Sequence, residues 1–242
     1  DAHRRGAVVI ASGRNEAELE SLAEDLGERV EVAPADLSQP GEPRRLVERA
    51  GEVDVLVACA ALPAAGYLTD IGYDSIDNAI DVNIRAPVHL TRAVLPQMRE
   101  RDSGQLVFLS SLMGKMPSRA GSLYCASKSA VRTFAAAVRE DLVDTGVGVT
   151  MAAPGPIAGD GSFARSGAAL PRWVRLPTCE RVAEKILSAV ERDTAEIEPA
   201  PLFMRWGGWW TGMMPGTVAA VGRRVWTPQV AERIAESNRG RF

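Results

Sequence analysis

The feature that most constrains this chain is an alternation. Short apolar runs take turns with stretches whose apolar residues recur at helical spacing. Residues 7–11 (AVVIA) read as a strand. Residues 15–26 follow with Leu19, Leu22 and Leu26 on one helical face, and Gly27 is a stop signal. Residues 29–33 alternate through Val30 and Val32, and a short helix then carries Leu46 and Val47. Residues 53–59 (VDVLVAC) are apolar on both faces, as in a strand covered on both sides by helices. Residues 75–101 hold a long helical stretch in which Pro87 marks a kink or a fresh helix start. Residues 105–111 (QLVFLSS) read as another two-sided strand, and 122–145 as a helix ending at Gly146. Residues 148–152 form a strand halted by Pro154-Gly155-Pro156. Thr178 can cap a helix bearing Val182, Ile186 and Val190, and 195–198 is a short final strand.

The order β-α-β-α-β-α-β-α-β-α-β implies an α/β fold. Its parallel sheet carries helices on both faces, reached by right-handed crossovers. With no repeat, low-complexity tract or linker in its 242 residues, the chain reads as a single domain.

Composition narrows the function classes. The balance of 28 Lys+Arg against 31 Asp+Glu offers no basic face for nucleic acid. Cys59, Cys125 and Cys179 are odd in number, widely spaced and without a CxxC pair, so neither a zinc site nor a disulfide framework is indicated. That pattern suits a reducing cytoplasm, the expected location. Only His3 and His89 are present, and no metal site is expected. No apolar run approaches the ~18 residues of a membrane span.

Open parallel sheets bind ligands beyond the carboxyl ends of their strands. Ser111 ends one such strand, and Tyr124 and Lys128 follow in YCASK. Their spacing of four residues puts phenol and ammonium on one helical face, a turn apart. A neighbouring ammonium favours the phenolate and lowers the tyrosine pKa, so Tyr124 could exchange a proton near neutral pH. Ser111 could donate a hydrogen bond to a carbonyl oxygen where charge collects. Taken singly, each has a plainer role: a packed tyrosine, a solvated lysine, a capping serine.

Taken together they resemble the active site of the short-chain dehydrogenase/reductase family. The matching residues are Ser111, Tyr124 and Lys128 in YxASK, Asn83 in DVNIRAPVHLT, and Pro154-Gly155 after the next strand. The resemblance covers roughly 5–190 and implies a Rossmann-like doubly wound sheet. It implies an oxidoreductase that interconverts an alcohol and a ketone or aldehyde, with carbonyl reduction of a small or lipophilic substrate favoured. Tyr124 would be the general acid, Lys128 would lower its pKa and hold the nicotinamide ribose, and Ser111 would orient the carbonyl. Asn83 would hold a water that joins Lys128 to solvent.

For cofactor binding the resemblance implicates Ser12, Arg14, Asp36, Leu37, Ala60, Tyr124, Lys128, Pro154, Gly155 and Ile157. Asp36 and Leu37 would flank the adenine, and Ile157 would offer backbone groups to the carboxamide. Arg14, with the Ser12 hydroxyl, stands where an acidic residue would bind the ribose hydroxyls of NAD; a guanidinium suits the extra phosphate of NADP. The expected cofactor is NADP(H) rather than NAD(H). A homodimer or homotetramer is implied, built partly through 86–101 and 122–145.

Two departures matter. Ala58-Cys59-Ala60-Ala61 stands where the family has NNAG, and Ala61 replaces a glycine that lets backbone approach the cofactor. This favours an alternative, a non-catalytic member that binds nucleotide or a protein partner. Cys59 and Cys125 are expected to pack as small hydrophobes. Second, the chain contains no TGxxxGxG loop, whose backbone amides normally hold the pyrophosphate. Residues 1–6 (DAHRRG) resemble the tail of the family's first helix, so a native chain reaching ~25–30 residues before Asp1, a β-loop-α unit, is expected. Without that unit, 7–11 and 29–33 would lie across a slot from 53–59.

Residues 1–200 are read as the core and 201–242 as an extension rich in tryptophan. The extension holds Trp206, Trp209, Trp210 and Trp226 with Met204, Met213 and Met214. Core or subunit packing is its first reading; a lid over an apolar substrate and a membrane-surface contact are the alternatives. The substrate rim is expected in 159–176 and this segment.

Overall fold

A computed structural model describes residues 1–159 and 174–225, together with positions 229, 232, 233 and 236. Strands β1 (Val9–Ala11), β2 (Val30–Val32), β3 (Val55–Ala58), β4 (Gly104–Leu109), β5 (Val147–Ala152) and β6 (Glu196–Ile197) alternate with helices. These are α1 (Glu16–Leu26), α2 (Glu42–Ala50), α3 (Tyr73–Ile80), α4 (Ala86–Glu100), α5 (Ser122–Asp141) and α6 (Cys179–Glu191). Two more, α7 (Leu202–Met213) and α8 (Pro215–Val225), follow β6. Every strand pairing is parallel. The strands fall into two sheets, β1-β2 and β3-β4-β5-β6, because β1 and β3 do not pair.

Local signals set the helix ends. Asn15 caps α1 by accepting from the Glu18 amide at 3.4 Å, and Thr178 caps α6 by accepting from the Arg181 amide at 3.3 Å. Pro87 lies in the first turn of α4, directly after a helical turn over Asp81–Arg85 to which it has no N–H to donate. Between α3 and α4, residues Asp81–Arg85 form a π-turn that carries Asn83. Such turns re-aim side chains and occur often at functional sites.

The main core lies over β4 and β5. Leu106, Phe108, Val149 and Met151 pack with Leu90, Val94 and Met98 of α4 and Val131, Ala135 and Val138 of α5. Phe108 meets Phe134 edge to face at 5.6 Å. On the other side Val107 and Ala152 pack with Val182 and Ile186 of α6. Strand β4 is therefore covered on both faces.

The expectation of two-sided cover fails for β3. Leu56 and Ala58 pack on the core, but Val55 and Val57 are 44% and 50% exposed. No described element lies over that face. Leu22 and Leu26 of α1 are likewise exposed. An apolar run shows that burial would be favourable; it does not supply the partner.

Candidate active site

The carboxyl ends of the strands carry nearly all of the residues singled out above. Ser12 and Arg14 follow β1, Asp36 and Leu37 follow β2, and Ala60 follows β3. Ser111 follows β4, and Pro154, Gly155 and Ile157 follow β5. Tyr124 and Lys128 stand on the first two turns of α5.

Ser111 is buried and caps a 3-10 turn over Leu112–Gly114. Its Oγ accepts from the Met113 amide at 3.2 Å, and Ser111 donates to the Pro154 carbonyl at 3.5 Å. Two hydrogen bonds stitch this turn to α5. The Ser110 hydroxyl donates to the Lys128 carbonyl at 2.8 Å, and Ser129 donates to the Gly114 carbonyl at 2.7 Å. Gly114 permits the approach, since a Cβ there would stand 2.8 Å from the Lys128 carbonyl oxygen.

Lys128 is 4% exposed, and its Nζ donates to the Leu109 carbonyl at 2.8 Å. The same Nζ lies 5.9 Å from the centre of the Tyr124 ring. Burial pulls the Lys128 pKa down to about 8, with Cys59 opposing. Burial also pushes the half-buried Tyr124 phenol above its ordinary value, and a hydrogen bond with Ser111 only partly offsets this. The net shift of the phenol is therefore upward, where the pairing with Lys128 alone would lower it. Desolvation disfavours the phenolate more than the nearby groups favour it, so Tyr124 is a protonated phenol at neutral pH.

The Asn83 side chain is held by protein partners. It is buried, and its Oδ1 accepts from the Leu62 amide at 2.7 Å. Its Nδ2 donates to the Leu62 carbonyl at 3.0 Å and to the Ser127 hydroxyl at 3.3 Å. The side chain thus clamps the segment after β3 against α5. A residue bonded to partners 21 and 44 positions away cannot reveal that role through local pattern.

Arg14 is exposed and acts electrostatically on Asp36. Burial pushes the Asp36 carboxyl up, but hydrogen bonds from the Ser38 side chain and backbone outweigh it, and the net shift is downward. Asp36 accepts from the Ser38 hydroxyl at 2.8 Å and its amide at 3.0 Å, so this carboxylate also organises its own turn. Gly155 lies against Ala200, where a Cβ would stand 2.8 Å from the Ala200 Cβ.

Two residues near the site escaped the sequence reading. Ser110 and Gly114 hold the β4 turn to α5, and only the LSS doublet hinted at the first. Cys59 is exposed at the end of β3 and within electrostatic reach of Lys128, rather than packed as a small hydrophobe. Cys125 is partly buried, with its sulfur 3.6 Å from the Ser118 hydroxyl. Most of the expected substrate rim, 160–173, lies outside the described residues, as does Trp226.

Comparison with known proteins adds to this geometry. Residues 1–166 match the model of the short chain dehydrogenase family. An uncharacterized oxidoreductase of Staphylococcus aureus is 33% identical over 160 residues, covering 64% of this chain and 69% of that protein. A solved structure of serine dehydrogenase complexed with NADP+ is 27% identical, with a TM-score of 0.73 over 83% of this chain and 87% of that one. A short-chain dehydrogenase from Sphingobium yanoikuyae, solved with NADPH, has a TM-score of 0.74 over 88% of this chain and 87% of that one. At 24% identity that likeness concerns the fold alone.

Proposed function

The chain belongs to the short-chain dehydrogenase/reductase family and is an oxidoreductase acting on the alcohol–carbonyl couple with a nicotinamide cofactor; from that premise we propose that it is an NADP(H)-dependent carbonyl reductase. The observation that carries the reading is the convergence of Ser111, Tyr124 and Lys128, from the end of β4 and the start of α5, beside the Pro154 turn.

The donor set suits the cofactor. Arg14 and Ser12, both exposed at the end of β1, would take the additional ribose phosphate. Asp36, Leu37 and Ala60 would border the adenine half, and Pro154, Gly155 and Ile157 the nicotinamide half. Lys128 would hold the nicotinamide ribose, since an ammonium has three donors and one is placed on Leu109. The similarity to a serine dehydrogenase that binds NADP+ supports the same choice.

When bound, NADPH supplies the hydride that the carbonyl carbon accepts. The protein's own residues handle the oxygen. Ser111 donates a hydrogen bond to it and holds it near the phenol. Tyr124 gives it a proton as negative charge develops, completing the alcohol. A phenol kept protonated by burial is ready as the donor in this direction. The buried Lys128 ammonium beside the ring then steadies the phenolate left behind. Asn83 is a positioning residue that holds the segment after β3 in place. The substrate is a small or lipophilic carbonyl compound, and assembly is as a homodimer or homotetramer through α4 and α5.

The test is NADPH oxidation with a panel of ketones and aldehydes, using the wild type and Tyr124→Phe. Turnover of at least one carbonyl, falling about 10²–10⁴-fold in the variant, is the expected result. Cofactor binding without turnover of any carbonyl would instead favour a non-catalytic member, the reading that the Ala58-Cys59-Ala60-Ala61 segment favours.

A further inference from the structure

Helix α7 is built the wrong way round for a helix that serves a core. Leu202, Trp206, Trp209 and Met213 recur at i, i+4, i+7 and i+11 and form one stripe. They are 66%, 60%, 61% and 62% exposed. Trp210 and Met214 extend the apolar surface beside them, and the Trp209 and Trp210 rings meet edge to face at 5.5 Å. Packing into the chain's own core, one half of the first reading of this segment, therefore does not hold for the described residues.

The opposite side of α7 explains how the helix stays in place. Gly208 is buried against Lys115, where a Cβ would come within 3.3 Å of the lysine side chain, and Gly207 faces Met116 at the same distance. Glu198 pairs with both Lys115 and Arg205. The glycines let the backbone lie close to the turn after Ser111, and the large residues are left outside. An apolar stripe of this size on a soluble surface marks an interaction site.

Charge identifies what it fits. Between Glu198 and Glu232 the chain has no Asp or Glu, while Arg205, Arg223 and Arg224 are present, although the whole chain has a net charge of −3. A second copy docked through the same segment would bring one basic, acid-free stretch of chain against another. An anionic lipid surface supplies the missing counter-charge, and tryptophan is the side chain that favours the bilayer interface. At 12 residues, α7 is about 18 Å long, short of the ~30 Å hydrocarbon core. No helix among the described residues is long and apolar enough to cross a membrane. The helix would lie in the interface plane.

We propose that α7 and α8 form a docking unit for an anionic membrane surface. The stripe Leu202-Trp206-Trp209-Met213 seats among the lipid headgroups, and Arg223, exposed on α8, meets the lipid phosphates.

The experiment uses the full chain with vesicles of phosphatidylcholine containing one-third phosphatidylglycerol, and with pure phosphatidylcholine vesicles, at low ionic strength. Flotation and the tryptophan emission maximum report binding. Expected are partitioning about fivefold or more in favour of the anionic vesicles and a blue shift on binding. The double variant Trp206→Ser/Trp209→Ser should lose about tenfold or more in partitioning, with unchanged far-UV circular dichroism and melting temperature. Arg223→Glu/Arg224→Glu, which leaves the tryptophans in place, should weaken binding to the anionic vesicles only. Absence of binding to the anionic vesicles would overturn the proposal, as would equal partitioning of the tryptophan variant. Self-association that the tryptophan variant abolishes, without vesicle binding, would overturn it in favour of a second copy.

Discussion

Replacing Lys128 with methionine should stabilise the protein while removing its activity. Lys128 is 4% exposed, and burial pulls its pKa from an ordinary 10.5 to about 8. At about 1.4 kcal/mol for each tenfold change in acidity, keeping the ammonium charged in the folded chain at pH 7 costs about 3 kcal/mol. Methionine keeps the apolar stem and removes the charge. It also deprives the Leu109 carbonyl of its 2.8 Å donor, a loss of about 1 kcal/mol. The net expectation is a gain of about 2 kcal/mol at pH 7. The sign of the pH dependence follows from the same shift. The folded pKa lies below the unfolded one, so between about 8 and 10.5 the unfolded chain binds the extra proton. Wild-type stability should therefore gain from this group as pH rises through that window, and Lys128→Met should lack the gain. Urea unfolding of cofactor-free protein, followed by circular dichroism at pH 7 and near pH 10, measures both effects. A methionine variant no more stable than wild type at pH 7 would refute the reasoning, as would two proteins whose stabilities change in parallel across the window. A stabilised but inactive variant is the signature of a charge retained for chemistry at the expense of stability.

Three further outcomes follow. Arg14→Ala should raise KM for NADPH about tenfold or more and leave that for NADH nearly unchanged; an unaltered ratio would remove Arg14 from phosphate recognition. Asn83→Ala takes away both bonds to Leu62 and the bond to Ser127, so unfolding in urea should show a loss of about 2–3 kcal/mol. A loss under about 0.5 kcal/mol would mean that water satisfies Leu62 equally well. Gly114→Ala places a Cβ 2.8 Å from the Lys128 carbonyl oxygen and the Ser110 hydroxyl, so it should lower stability by about 1–3 kcal/mol and reduce kcat. Wild-type kcat in that variant would show that the turn after β4 can move without displacing Ser111.

The sequence by itself determined the order of strands and helices, where several helices begin, and which residues gather at the carboxyl ends of the strands. These follow from short-range physics. Asn15 and Thr178 cap their helices with their own side chains, Pro87 marks a helix start, and the spacing of Tyr124 and Lys128 puts them on one face of α5. What tertiary structure alone decided is who covers whom and what the charges feel. The run of β3 and the run of β4 read alike, yet Val57 is half exposed while Val107 is buried, because α6 lies over the second and no described element over the first. The spacing of the tyrosine and the lysine suggested a lowered phenol pKa, yet burial raises it, since desolvation depends on every neighbour and not on the one residue a turn away. Asn83 was legible as a site residue, but its bonds to Leu62 and Ser127 are set by elements distant in the chain. The tryptophans of α7 read as core or subunit packing, and in the chain itself they lie outside because two glycines occupy the face that docks. Local geometry repeats with a period that can be read along the chain, whereas burial and electrostatics are sums over residues that only the fold brings together.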